Sequence, residues 1–203
     1  ISADKGAGYL PVGVVLCAGG TSIGAFDRIA ETLSVAKEHG LYTHVDAAWA
    51  GSAMICPEFR QLWDGVEGAD SIVFNPHKWL GVQFDCALQE GSYVDLDRAV
   101  QFLKDADPQI RTLGLRPEYL KTQGQDEIVN FNEWTLPLGR RFRALKLWFV
   151  LRAYGLEGLR ERIRNHVHWA DEARLALADI PGIEITTPAS LSLFSFALAA
   201  GDT

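Results

Sequence analysis

The run Val12 to Ala18 (VGVVLCA) constrains this chain most: it is short, β-branched and without helical period, and a glycine-rich turn of Gly19, Gly20, Thr21, Ser22 and Gly24 follows at once. Asp27 stands where a helix cap is expected, ahead of a helix from Arg28 to about His39, and Gly40 sits where that helix should stop. Tyr42 to Ala47 (YTHVDA) then reads as a second strand. Strand, helix and strand within about 35 residues match the size of a right-handed βαβ unit, which makes the two strands parallel. Ser71 to Asn75 (SIVFN) reads as a third strand and Cys86 to Gln89 as a fourth, so the expected core is an α/β sheet covered on both faces.

The pattern changes further along. From Ala99 to about Asn130, Asp, Pro, Gly and Gln are scattered without period, as in a long loop. Gly139 starts a different regime, in which Phe142, Leu145, Trp148, Phe149 and Arg152 fall at helical spacing up to Gly155. A second helix, Leu156 to about Ala178, follows, and Pro181-Gly182 breaks the chain before two strand-like runs, Ile183 to Thr186 and Leu191 to Leu198. The shift divides the chain into residues 1–136 and 137–203. No repeat is present. The chain opens on Ile1 and stops just after an apolar run, so both ends read as cut and an interior portion of a longer polypeptide is expected.

Bulk composition narrows the class of function. With 203 residues, 48% hydrophobic and 22% charged, the chain has the make-up of a soluble globular protein. A net charge of −7 argues against nucleic-acid or anionic-membrane partners, which require surplus Lys and Arg. Arg140, Arg141 and Arg143 cluster, but at a spacing that suits a solvated helix face. Cys17, Cys56 and Cys86 are odd in number and form no CxxC pair, which fits buried free thiols in a reducing, cytoplasmic setting. No stretch reaches membrane-spanning length, and no signal-peptide pattern opens the chain.

Three polar segments stand at the carboxyl ends of the expected strands: Gly19-Gly20-Thr21-Ser22, His44-Val45-Asp46-Ala47-Ala48 and Asn75-Pro76-His77-Lys78-Trp79. In an open parallel sheet that edge is where ligands bind, so segments far apart in sequence converge there. A lysine amine such as Lys78 can condense with an aldehyde cofactor. A carboxylate such as Asp46 can keep a pyridine nitrogen protonated and make the ring an electron sink. Asn75, His77 and Thr21 can bond a phosphate, a phenolic oxygen or a substrate carboxylate, and Ala48 is small enough for a flat ring to lie against the backbone. Each has a plainer reading, however. Lys78 alone suits the surface, Asp46 alone a cap or turn, and His44, Asp46, Asp70 and His77 could together ligate a metal. His166 and His168 lie at i, i+2 on a helix and cannot share a face, which favours surface placement. Spacing alone leaves a pyridoxal site only modestly ahead of a metal hydrolase.

The wording of the segments is more specific. HVDAAWAGSAMICPEFR, ADSIVFNPHKWLGVQFDCAL and PLGRRFRALKLWFVLRAYG together resemble the group II pyridoxal-phosphate decarboxylases, and within them the aromatic-L-amino-acid type. The resemblance extends over nearly the whole chain. It implies the aspartate-aminotransferase-like fold (fold type I): a large domain with a mostly parallel sheet in 1–136, then a linking helix and part of a small α+β C-terminal domain in 137–203. It also implies pyridoxal 5'-phosphate as cofactor, no metal, and a homodimer with the active site at the subunit interface. The family's cofactor lysine falls on Lys78, its pyridinium carboxylate on Asp46, the small residue against the ring on Ala48 and the asparagine near the phosphate on Asn75. Its cofactor- and substrate-side threonine falls on Thr21, and the histidine before the lysine on His77. Glutamate decarboxylases usually read WGG where this chain has Trp49-Ala50-Gly51, and histidine decarboxylases usually have serine in place of His77. Both differences favour an aromatic substrate.

Tyr119, in Arg116-Pro117-Glu118-Tyr119-Leu120-Lys121, matches the tyrosine of the family's catalytic loop. A phenol brought in by a closing loop can return a proton to Cα after CO₂ has left, with water excluded. Related aldehyde synthases have phenylalanine there, so Tyr119 points to an amine product. Two departures stand beside this: the segment before Lys121 is longer than in the animal enzymes, and the family's phosphate-cradling residues and ring-stacking histidine would lie upstream of Ile1. Without that part the chain is expected to be inactive. The competing readings are an aldehyde synthase, a decarboxylase of glutamate or histidine, a metal-dependent hydrolase, and a non-catalytic piece that dimerises through Trp148 and Phe149.

Overall fold

Alternation of side chains along extended backbone decides the first layer. In β1 (Gly13–Cys17) Leu16 is buried and Val15 exposed; in β2 (Tyr42–Asp46) Thr43 and Val45 are buried while Tyr42 and Asp46 are not. Helix α2 (Ile29–Glu38) packs on these two strands and buries Ile29, Leu33 and Ala36, residues spaced to share one helical face. Gly40, with φ 67, takes the left-handed backbone that lets the chain leave this helix and enter β2. A short helix before β1, α1 (Ser2–Gly6), buries nothing. The computed structural model from which these elements are taken describes residues 1–84, 102–103, 107–114 and 142–199.

The strands pair in the order β1-β2-β3-β4, with β3 at Ser71–Val73 and β4 at Phe102–Leu103. β1 and β2 are parallel, as are β2 and β3, whereas β4 runs antiparallel to β3. Cys17 pairs with Asp46 and Asp46 with Val73, so the carboxyl ends of the three parallel strands come level. The crossover from β2 to β3 is made of 3₁₀ turns at Ala50–Ile55, Pro57–Trp63 and Val66–Gly68, which send Ala50, Ala53, Cys56 and Trp63 into the core.

Helix α3 (Asp107–Leu113) is separate and short; α4 (Ala144–Ala178) is long and broken at Gly155, whose φ of 64 and ψ of 178 no helix contains. Past that break α4 puts Leu159 and Ile163 into the same core as Leu16 and Val45. All four are at most 1% exposed, and such burial is worth about 1.5–3 kcal/mol per side chain, enough to fasten α4 to the sheet. Arg160 Nε also donates to the Ile55 carbonyl at 2.7 Å, and Arg164 forms an ion pair with Glu58. Before the break, Phe142, Trp148 and Phe149 are exposed. Strands β5 (Ile183–Ile185) and β6 (Phe196–Leu198) pair antiparallel as a second, two-stranded sheet.

Most expected elements are present within a residue or two, and several expectations need correction. Asp27 does not cap α2: the N-cap is Arg28, without a side-chain bond, and the Asp27 carboxylate instead accepts the Cys17 amide at 2.6 Å. The third strand stops at Val73, because Asn75 already bonds back to the neighbouring segment. The stretch read as a loop from Ala99 contains β4 and α3. The expected strand Cys86 to Gln89, along with Arg140, Arg141 and Tyr119, lies outside the described residues. Cys17 and Cys56 are free thiols, Cys17 half-buried and Cys56 buried. Among the described residues, no helix is long and apolar enough to cross a membrane.

Candidate active site

The level strand ends bring three loops to one edge of the sheet. The first leaves β1 at Ala18 and folds on itself: the Gly19 and Gly20 amides both donate to the Ala25 carbonyl at 2.9 Å, and Gly24 N donates to Gly20 O at 2.8 Å. Gly19, at φ 88, lets this loop lie directly on the second one, since a Cβ there would collide with Ala50 and come within 3.1 Å of the Trp49 ring. Thr21 projects from the loop and is exposed. From the far end of the chain, Ser190 Oγ donates to Gly24 O at 2.7 Å and Ser195 Oγ to Ser22 O at 3.2 Å, so the segment before β6 clamps the same loop.

The second loop begins at Asp46. Its Oδ1 accepts the Ala48 amide at 2.9 Å, which turns the chain out of the strand and leaves the carboxylate exposed at the sheet edge. Ala48 is half-buried two residues on. The Ala48 carbonyl accepts the Asn75 amide at 2.8 Å, and Ala47 N donates to Val73 O at 3.0 Å; these bonds tie the second loop to the third. The third loop is a tight turn in which Lys78 N donates to Asn75 O at 2.9 Å, with Pro76 fully buried beneath it and the Lys78 side chain exposed. Asp46 and Lys78 thus issue from the carboxyl ends of adjacent parallel strands, whose loops are joined through Asn75 and Ala48.

Nearby groups are held neutral or committed elsewhere. Burial pushes the His44 imidazole below its ordinary range, against the pull of the Asp46 charge, and its Nδ1 lies 2.7 Å from Ser71 Oγ. Burial, with the charges of Asp46 and Asp27 adding to it, pushes the Cys17 thiol up and keeps it a poor nucleophile. Asp70 spends its Oδ2 on the amide and hydroxyl of Thr43, both at 2.8 Å. Its role is to brace β2 against β3, so the four residues considered for a metal are not brought together as ligands; among the described residues no cluster of three His, Cys, Asp or Glu could hold one. His77 packs edge-on against Phe84 with centroids 4.8 Å apart.

A flat ring that brings hydrogen-bond donors, such as a protonated ring nitrogen, fits what is present. Asn75 Oδ1 is buried with no hydrogen-bond partner in the structure, an arrangement that a bound donor would relieve. Asp46 offers an open carboxylate and Ala48 a side chain no larger than methyl. Residues 1–199 match the family model described as pyridoxal-dependent decarboxylase conserved domain.

The chain belongs to that family. Aromatic-L-amino-acid decarboxylase of Cavia porcellus is 44% identical over 197 residues, a match covering 96% of this chain and 38% of the relative. Phenylacetaldehyde synthase of Arabidopsis thaliana is 42% identical over 200 residues, with 98% and 38% covered. Among solved structures, Oryza sativa TDC with PLP and tryptamine superposes with a TM-score of 0.88 at 37% identity, covering 98% of this chain and 39% of that one. The chain therefore spans well under half the length of the relatives it matches.

Sequence reasoning missed what surrounds the family's motif residues. Trp49 and Trp79, each one position beyond an expected site residue, stack with centroids 5.1 Å apart and planes 12° apart. His166 was expected at the surface; it is half-buried and accepts the Trp79 indole N–H at 3.0 Å. His168 is exposed, as expected, and pairs with Glu172. The one signal available was the pair of tryptophans in matching places after Ala48 and Lys78.

Proposed function

We propose that the protein containing this chain is a pyridoxal-5'-phosphate-dependent carboxy-lyase that converts an aromatic L-amino acid to its amine and CO₂. The observation that carries this reading is the alignment of Asp46 and the Lys78 turn at one sheet edge, joined by the Asn75 amide on the Ala48 carbonyl at 2.8 Å. When bound, the cofactor supplies an electron sink for the pair left behind as CO₂ departs. Lys78 is the amine that attaches it covalently, Asp46 holds a proton on its ring nitrogen, and Ala48 gives the ring a flat support. Asn75 offers its side-chain amide as a hydrogen-bond donor on the phosphate side, while Thr21 and His77 serve cofactor and substrate. Tyr119 delivers the proton to Cα. Support for the aromatic class comes from the 44% identity to an aromatic-L-amino-acid decarboxylase and from the likeness to a structure holding tryptamine.

The same reading takes residues 1–136 as part of the large cofactor domain and 137–203 as a linking helix and the start of a small C-terminal domain; the separate β5–β6 sheet supports that division. It includes a homodimer with the site at the interface, for which the exposed Trp148 and Phe149 offer apolar surface, and a cytoplasmic location. Aldehyde synthesis is the second reading, since a phenylacetaldehyde synthase is nearly as similar as the decarboxylases. Borohydride reduction of the cofactor-loaded full-length protein, followed by peptide mapping, should find the pyridoxyl group on Lys78, and Lys78→Arg should lose turnover by several orders of magnitude. An adduct on another lysine, or none, would reject the assignment. Amine as the product supports decarboxylation; aldehyde with ammonia and hydrogen peroxide decides for the synthase.

A further inference from the structure

We propose that His166 is a positioning residue for Lys78, acting through the indole of Trp79. The proposal rests on Lys78 being the cofactor lysine. Trp79 directly follows that lysine, is 5% exposed, and has a single polar atom, the indole Nε1–H. That hydrogen is donated to His166 Nδ1 at 3.0 Å, across 87 residues of sequence. One face of the indole stacks on Trp49, the residue after Ala48, so one ring pair joins the lysine turn to the Asp46–Ala48 segment. The turn has little other freedom. Lys78 N is bonded to Asn75 O and Val82 N to Pro76 O, and Gly81, at φ 70, lies so close to the Arg162 guanidinium that a Cβ there would overlap it.

Helix α4 therefore touches the segment after Lys78 twice, through His166 on the Trp79 indole and through Arg162 at Gly81. Only the first contact is directional. It fixes the rotation of the indole in its plane, and with it the path of the chain that carries Lys78. Acceptance at Nδ1 requires an imidazole whose proton sits on Nε2. Burial, with Arg162 one helical turn away adding its charge, pushes His166 below its ordinary range and keeps that lone pair available. The Trp169 ring, centroid 5.6 Å from the imidazole, flanks it on the same helix.

The test uses the full-length protein with His166→Leu, which removes the acceptor, His166→Asn, which returns an oxygen near the place of Nδ1, and Trp79→Phe, which keeps a ring and removes the donor. Two readouts are independent of turnover: the circular dichroism of the indole pair in cofactor-free protein, and the visible dichroism of the bound cofactor, which reports its tilt. His166→Leu and Trp79→Phe should each change the visible dichroism and lower kcat by roughly 10–100-fold, the scale of a small misplacement of a reacting group, with KM little altered. His166→Asn should restore most of both, and the Leu/Phe double variant should be no worse than the poorer single one. Unchanged visible dichroism and kcat in Trp79→Phe, with the borohydride adduct still on Lys78, overturns the positioning role. An adduct elsewhere overturns the reading of Lys78 instead. If His166→Leu does not fold, Trp79→Phe with His166→Asn carries the test alone.

Discussion

Replacing Gly19 by alanine adds one methyl group where the first loop lies on the second, and the structure allows its cost to be worked out. At φ 88 an L-residue is in left-handed backbone, a penalty of about 1–2 kcal/mol. The new Cβ would also collide with the Cβ of Ala50 and stand 3.1 Å and 3.3 Å from two carbons of the Trp49 ring. Ala50 is fully buried and begins a 3₁₀ turn, so it cannot retreat, and overpacking of this kind costs about 1–3 kcal/mol more. The sum is about 2–5 kcal/mol, a large part of a typical domain's stability. Gly40 is the internal control. It has a similar φ of 67 but nothing within 4 Å of a built Cβ, so Gly40→Ala bears only the backbone penalty. The loss of unfolded-state freedom on going from glycine to alanine is common to both variants and cancels in the comparison. Equilibrium urea unfolding should therefore separate Gly19→Ala from Gly40→Ala by about 1–3 kcal/mol at unchanged slope. Because Trp49 is the neighbour able to yield, Gly19→Ala should also disturb the Trp49–Trp79 stack and weaken cofactor retention, which Gly40→Ala should leave alone. Equal destabilisation by the two variants would show that the Gly19–Ala50 approach has no energetic weight.

Two further perturbations test how α4 is fastened. Hydrogen bonding from Arg164 holds the Glu58 carboxyl at about 2, against an ordinary 4.5. A folded value below the unfolded one means that its stabilisation is complete above about pH 4.5 and fades as the pH falls towards 2, so the stability gap between the parent and Glu58→Gln should close over that interval in acid titrations followed by circular dichroism. A gap independent of pH would show that the ion pair adds nothing. Gly155→Ala places a side chain at φ 64, ψ 178, a region essentially reserved for glycine, and should cost about 1–3 kcal/mol from the backbone alone, since a Cβ there meets nothing within 4 Å. A neutral effect on the thermal midpoint would mean that α4 is not broken at that residue.

Elements governed by local pattern were legible in the sequence. β1, α2 and β2 come from a β-branched run, a 3.6-residue period and a second β-branched run, each bounded by glycine, and the parallel pairing follows from the handedness of the crossover. Gly155 and the Pro181-Gly182 break were equally plain, because glycine in unusual backbone and proline act through their own chemistry. What defeated the pattern was tertiary choice. Asp27 has the right type and place for a cap, yet Cys17 N offers its carboxylate a better-placed donor across the loop. The stretch after Ala99 had too little period to reveal a two-residue strand, whose pairing with β3 depends on a partner some 30 positions earlier.

The sheet edge from which the loops carrying Thr21, Asp46, Asn75 and Lys78 leave was legible for a related reason: once three strands are parallel, their carboxyl ends come level. The groups that hold this edge in place followed no such rule. Ser190 and Ser195 grip the first loop from more than 160 residues away, and His166 reaches the third from the middle of α4. Judged by its own helix, His166 is a surface residue; it becomes a bonding partner only because Leu159 and Ile163 bury that stretch of α4 in the core of the sheet. Burial chosen by apolar spacing thus decides which polar neighbours are drawn inward, and one turn of helix separates Ile163 from His166. The fixing of the candidate site is for that reason shared between the bonds of its own loops and a part of α4 that carries none of its three polar segments, and substitutions in α4 that leave those segments intact are where function and stability should prove hardest to separate.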